Sequence, residues 1–201
     1  MDYKVATYFS SENWESQGLN WLRTAKSLSL TGYIIGYNLS EEATSKISQL
    51  GFICLPLKED ENNRVKIFQK FISQLKPQER CMWLTPSLLP KANFETESDL
   101  VCELTKSDIF NLTEPVTNLY DRAAMIESLR EKIEKKYSGY FSTRYVLATS
   151  EFWHGFLGCL QYMQEKSYFD ANTSTEELIL NFFTAFANRF TVEVKDYDSV
   201  I

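Results

Sequence analysis

The chain has 201 residues, 44% of them hydrophobic and 14% aromatic, with a formal net charge of −6. That length suits one domain whose core needs no disulfide or metal staple, and the negative balance excludes nucleic acid or an anionic membrane as the expected partner. With 7 Gly and 5 Pro the composition is that of a packed globular chain, not a disordered one.

The opening MDYKVATYF has no basic stretch leading into an apolar one. No later apolar run approaches the roughly 18 residues that span a bilayer, so a soluble, cytoplasmic protein is expected. Lys4 to Phe9 reads as a first strand, followed by a polar loop, Ser10 to Ser16, broken only by Trp14. Leu19, Leu22 and Ala25, with Trp21 and Leu28, recur at helical spacing as far as Leu30. Tyr33 to Tyr37 is a second strand. Ser40 suits the N-cap of a helix that aligns Ala43, Ile47 and Leu50 and closes at Gly51. Phe52 to Leu57 is a third strand and Lys58 to Asn63 a charged loop. Val65, Phe68, Ile72 and Leu75 mark a third helix, stopped by Pro77. Cys81 to Leu84 is a short apolar run without polar alternation, the pattern of a strand covered on both faces. Four strands joined by three short helices predict parallel pairing with right-handed crossovers.

The period then changes. Leu88 to Asp99 reads as a loop and Leu100 to Leu104 as a fifth strand, an antiparallel partner. Pro115 suits the first turn of a long helix to Tyr137, with Leu119, Ala123, Ile126 and Ile133 on one side and a charged stripe opposite that could present a partner surface or a dimer contact. Arg144 to Thr149 reads as a strand leading into Glu151 to Lys166, a helix apolar nearly all round. Ser174 and Glu177 form a capping box for a last helix to Arg189, and Thr191 to Lys195 alternates as an edge strand does. The fold class expected is α/β: three layers, α/β/α, with a mostly parallel central sheet in a single domain, 1–201.

Open sheets of this kind bind ligands beyond the carboxyl ends of their strands, where strand order reverses. That rule draws attention to the loop after the fourth strand, Thr85 to Pro90, and to Ser10 and Trp14 after the first, a set able to hydrogen-bond to and stack on a base. His154 and Glu151 follow a strand, and are read as emerging at the same edge. A backbone carbonyl at a helix start would equally satisfy His154, and helix capping would explain Glu151 and Glu177. Glu176, less needed for capping, could face the crevice. The widely spaced Cys54, Cys81, Cys102 and Cys159 read as buried free thiols. Glycine-rich dinucleotide and P-loop signatures are absent, as is a nucleophile elbow. Gly155 and Gly158 are spaced for close helix packing.

The order of elements resembles the GT-A fold of nucleotide-diphospho-sugar transferases. In that family the first strand and its loop hold the base, and a strand ending in Asp-x-Asp brings a divalent metal to the diphosphate. Here MWLTPSLLP takes that place, with Thr85, Pro86 and Ser87 where Asp-x-Asp would stand. TSEFWHGFLGCLQYM is similar to the strand-then-helix segment lining the acceptor pocket, and STEELILNFF to the acidic helix start that follows it, matching at Glu176, Glu177 and Asn181. The resemblance implies a nucleotide-binding half, 1–90, and an acceptor-side half, 91–201. It implies a glycosyltransferase-like protein that binds a nucleotide-sugar, with Glu151 and Glu176 as candidate catalytic bases. Ser10, Trp14, Thr85, Ser87, Lys91, Arg144 and His154 are its candidate binding residues, Lys91 and Arg144 being cations able to replace a metal. Manganese or magnesium is the family's cofactor, but neutral hydroxyls replace the carboxylates a hard cation wants. The alternative is a non-catalytic binding or assembly module that keeps the fold.

Overall fold

The computed structural model describes residues 3–59, 63–91, 94–105, 119–166 and 176–199, with the backbone alone at 119–123, 125 and 126. The expected helix start at Pro115 and the cap at Ser174 lie outside them.

Strand β1 (Lys4–Ser10) leads through a short helix, α1 (Ser11–Asn13), and a π-helical turn at Trp14–Gly18 into α2 (Leu19–Ser27). β2 (Gly32–Tyr37), α3 (Glu41–Gln49), β3 (Ile53–Leu57), α4 (Arg64–Ile72) and β4 (Arg80–Leu84) complete the first half. Local chemistry sets these boundaries. Ser40 Oγ accepts from the Ala43 amide at 3.2 Å, capping α3, and Asn63 Oδ1 accepts from the Lys66 amide at 3.0 Å, capping α4. Gly51, just past α3, takes a φ of +87°, which side-chain-bearing residues rarely adopt.

β5 (Leu100–Thr105), α5 (Leu119–Glu134), β6 (Tyr140–Thr149), α6 (Ser150–Glu165), α7 (Glu176–Phe186) and β7 (Val192–Val194) follow. The seven strands make one sheet in the order β3-β2-β1-β4-β6-β5-β7. β1 to β4 are parallel, as the short crossovers predict, and β7 runs parallel to β5 at the far edge. β6 is the reversed strand: it lies between β4 and β5, antiparallel to both.

Alternate residues of the sheet feed two cores. Val5, Phe9, Ile34, Met82 and Tyr145 face α2, α3 and the crossover after β4, through Leu88 and Phe94. Ala6, Ile35, Trp83 and Val146 face α4, α6 and α7. In the second layer Phe68 and Trp83 approach to 4.9 Å between ring centroids, and the Trp153 indole donates to the Cys81 carbonyl at 2.9 Å. That bond satisfies the polar edge of a fully buried ring. The four cysteines are free thiols. Among the described residues no helix is long and apolar enough to cross a membrane.

Three elements differ from expectation: the polar loop expected over Ser10–Ser16 is the last residue of β1, α1 and the start of the π-helical turn. β6 begins at Tyr140, not Arg144, because its first residues pair with the end of β5. α6 is not buried all round: Glu151, His154, Gly158 and Tyr162 form an exposed stripe. Of its two glycines, a Cβ on Gly155 would come within 2.5 Å of Phe183, so close packing holds there, whereas Gly158 faces open space.

Candidate functional site at the carboxyl rim

Strand order reverses at β1, which has β2 on one side and β4 on the other. The β1–β2 ladder runs to Ser10–Tyr37, but the β1–β4 ladder stops at Ala6–Trp83. Beyond that pair β1 and β4 are no longer paired. The switch point between the ends of β1 and β4 is where open sheets of this kind place a ligand crevice.

Thr85 leaves β4 at this rim. Its amide donates to the Arg144 carbonyl at 3.0 Å, which continues the β4–β6 ladder one residue beyond Leu84. Thr85 Oγ1 and Ser87 Oγ lie 3.4 Å apart, and Ser87 is exposed. Arg144 reaches the rim because the regular β4–β6 register, ending at Leu84–Tyr145, sets it opposite Thr85; on its other side, toward β5, β6 is deformed. Cys102 opposes Val146, whereas Leu104 opposes Phe141, so a short step along β5 spans a longer stretch of β6. The excess residues form a bulge that includes Ser142, Thr143 and Arg144.

The carboxylate of Glu177 stabilises this bulge. Its Oε1 accepts from the Thr143 amide and the Ser142 hydroxyl, each at 3.1 Å, while Ser142 Oγ accepts from the Arg144 amide at 3.1 Å. Fully buried Asn181, one turn later, bonds both backbone groups of Phe141 at 2.7 Å. Glu177 therefore bonds across to β6, which helix capping did not anticipate. The Arg144 guanidinium lies 3.4 Å from Glu103 and is partly exposed.

Glu176 opens α7 beside Arg64, the first residue of the helix after β3. Oε1 of the glutamate lies 3.5 Å from Arg64 Nε, and Oε2 is buried with no hydrogen-bond partner among the described residues. Burial raises the Glu176 pKa, and the nearby Arg64 charge opposes that rise without cancelling it. Arg64 carried no signal in the sequence beyond following a charged loop.

Of the other candidates, Ser10 alone shares the rim. Trp14 is 8% exposed and packs edge-on to Phe9 at 5.8 Å, so its ring belongs to the core and is not a platform for a base. Ser10 does stand at the rim, where its amide donates to Asn13 Oδ1 at 2.8 Å. Lys91 lies on the crossover that returns along the sheet face. Its carbonyl accepts from the Tyr3 hydroxyl at 2.6 Å, near the opening end of β1, and its ammonium donates to the Tyr197 carbonyl at 2.8 Å.

Glu151 and His154 are at the opposite edge of the sheet. Because β6 is antiparallel, its last residue, Thr149, pairs with Arg80 at the start of β4. The helix that follows therefore begins at the amino edge. There Glu151 and His154 line a shallow groove with Pro77, Gln78 and Arg189; Glu151 lies 3.4 Å from Arg189, and His154 Nδ1 is 3.0 Å from the Ser150 carbonyl. The expected gathering of Trp14, Thr85, Ser87, Glu151 and His154 around one cleft is thus not what the fold builds.

The donor set at the rim does not fit a hard divalent cation. The hydroxyls of Thr85 and Ser87 are neutral, and no three His, Cys, Asp or Glu side chains gather anywhere among the described residues. What the rim does offer is hydroxyls, two guanidinium groups and a buried carboxyl.

No family model and no curated protein matches the sequence. Solved structures do match in fold. One is the apo form of the glycosyltransferase GlyE from Streptococcus pneumoniae TIGR4, with a TM-score of 0.52 and 15% identity, matched over 96% of this chain and 45% of that one. Another is a nucleoside-diphosphate-sugar pyrophosphorylase from Vibrio cholerae RC9, with a TM-score of 0.56 and 11% identity, over 94% of this chain and 90% of that one. The chain spans less than half the length of the first. These likenesses show the fold alone: an α/β fold shared with a glycosyltransferase and with a nucleoside-diphosphate-sugar pyrophosphorylase.

Proposed function

We propose that this protein binds a nucleotide-sugar in the crevice between β1 and β4, and that it transfers the sugar without a metal ion. The observation that carries this reading is the rim itself: the β1–β4 ladder stops short at the switch point, and the Thr85–Ser87 hydroxyl pair stands at the end of β4, where the Thr85 amide bonds the Arg144 carbonyl. In this reading Ser10 and α1, which follows it, meet the nucleoside. Thr85 and Ser87 hydrogen-bond the diphosphate. Arg144, and Arg64 across the rim, supply the positive charge that a leaving diphosphate needs.

Glu176 is then the base. In the transfer an acceptor hydroxyl gives its proton to the Glu176 carboxylate, and its oxygen bonds to the sugar's anomeric carbon. The bond from that carbon to the diphosphate breaks, and the electron pair leaves on the diphosphate. A carboxyl whose pKa is raised by burial is a better proton acceptor than an ordinary one. Glu151, at the far edge of the sheet, has no part in this step.

A second reading is that the fold persists as a non-catalytic binding or assembly module. The neutral Thr85–Pro86–Ser87 segment at the end of β4 favours it. A thermal-shift screen against UDP-, GDP-, CMP- and dTDP-sugars, with and without manganese, separates the two. A ligand at 100 times its dissociation constant stabilises a fold by about 2.7 kcal/mol. We expect one nucleotide class to shift the melting temperature without manganese, and Arg144→Ala to abolish the shift. No shift with any of the four would leave the assembly reading.

A further inference from the structure

The loop that supplies Thr85 and Ser87 does not hold itself in place. From Thr85 to Leu89 its own backbone makes one turn bond, from the Leu88 amide to the Thr85 carbonyl at 3.0 Å. Its other anchors are the Thr85 amide on the Arg144 carbonyl, the buried Leu88 side chain and, beyond them, the segment after β7, more than 100 residues away in sequence. Tyr197 is 2% exposed, with its ring 6.0 Å from Phe94 and 4.9 Å from Tyr145 between centroids. Its hydroxyl donates to the Leu89 carbonyl. Its own carbonyl accepts from the Lys91 ammonium at 2.8 Å, and that ammonium lies 5.1 Å from the Tyr197 ring centre.

Neighbouring contacts extend the same join. The Tyr145 hydroxyl donates to the Lys195 carbonyl, the Lys195 ammonium donates to the Glu95 carbonyl at 3.0 Å, and Thr96 Oγ1 bonds Glu193. Glu193, Lys195 and Tyr197 meet Thr96, Glu95 and Leu89 in turn, so the fastened residues run in opposite directions. The carbonyl of Leu89 is two residues from Ser87, an exposed residue of the rim.

We propose that Tyr197 is a positioning residue for the rim loop: its hydroxyl on Leu89 and its carbonyl on Lys91 fix the Thr85–Ser87 hydroxyl pair at the crevice. The functional half of this inference rests on the nucleotide-sugar reading of the rim; the structural half does not. Tyr197 touches neither substrate nor reacting atoms, and acts only through the loop.

The test uses Tyr197→Phe, which keeps the buried ring and removes only the hydroxyl, and Lys91→Met, which keeps the stem and removes the ammonium. Hydrogen–deuterium exchange is measured across residues 85–91 and, as a control, across β1 to β3. Loss of one hydrogen bond predicts exchange about tenfold faster in 85–91 in each variant, with the control strands unchanged. Unchanged exchange in 85–91 overturns the proposal, as does an equal rise in β1 to β3, which would mean general destabilisation. Titration with UDP-glucose and with the other three nucleotide-sugars forms the second arm. Weaker binding by Tyr197→Phe than by the wild type at an equal melting temperature supports the positioning role, and equal affinity overturns it. Should the wild type bind none of the four, the nucleotide-sugar reading falls, and the exchange result alone decides the role of Tyr197.

Discussion

Glu176 shows how burial and charge compete at one side chain. Its carboxyl is 7% exposed, faces Arg64 on one oxygen, and adjoins the like charge of Glu177 at the start of α7. Burial favours the neutral acid, and Glu177 adds to that; Arg64 and the glutamate's own backbone amide favour the anion. Burial wins. Between the ordinary value of 4.5 and the raised one, the folded state holds a proton that the unfolded chain has released. Stability from this group is therefore complete below the ordinary value and is lost as pH rises through the raised one. Glu176→Gln has no proton to lose. We expect the wild type's melting temperature to fall relative to that variant as pH rises from 4.5 toward neutrality, and then to run parallel to it. A difference that stays flat from pH 4 to pH 8 would mean an ordinary carboxyl.

The β6 bulge adjoins the rim, and a single side chain supports it. Glu177→Ala leaves the Thr143 amide and the Ser142 hydroxyl without their acceptor, and hydrogen bonds to a charged group are worth about 1.5–3 kcal/mol. We expect a loss of about 2 kcal/mol, read as a melting temperature lower by about 4–8 °C, while Glu177→Gln, which keeps an acceptor, loses less. The bulge was not legible in the sequence, because what makes it lies 34 residues from Thr143. Ser142 and Thr143 look like ordinary loop residues, and Glu177 like an ordinary helix start. Lys91 misled for the same reason. A cation close in sequence to the rim loop proved to be fastened to Tyr197, 106 residues on. Trp14 misled differently, since an aromatic in a polar loop can be turned inward as easily as outward. Here Gly18 makes room for it: a Cβ there would come within 2.2 Å of the indole.

At the scale of the whole molecule, the first half was legible because short helical crossovers leave the chain few choices. Four strands with three helices between them must lie parallel, and β1 to β4 do. The second half has no such constraint. The long connection after β4 carries the chain back to the amino edge, β5 starts there, and β6 returns between them. Strand direction is invisible in composition and periodicity, so Glu151 and His154 were expected at the carboxyl rim and lie at the amino edge. The same topology allows a direct test of what the rim is shaped for. Thr85 and Ser87 straddle the end of β4, partly exposed and exposed, with their hydroxyls 3.4 Å apart. If the crevice is built to bring charge to a diphosphate, the backbone there should accept two carboxylates without repacking the core. We expect Thr85→Asp with Ser87→Asp to bind manganese more tightly than the wild type, since the added oxygens are the ligands a hard cation prefers, with little change in melting temperature in its absence. Electron paramagnetic resonance titration with manganese reads the outcome. Binding no tighter than that of the wild type would mean that the two positions do not converge on a common point beyond the strand, and Thr85 and Ser87 would lose their assignment to the diphosphate.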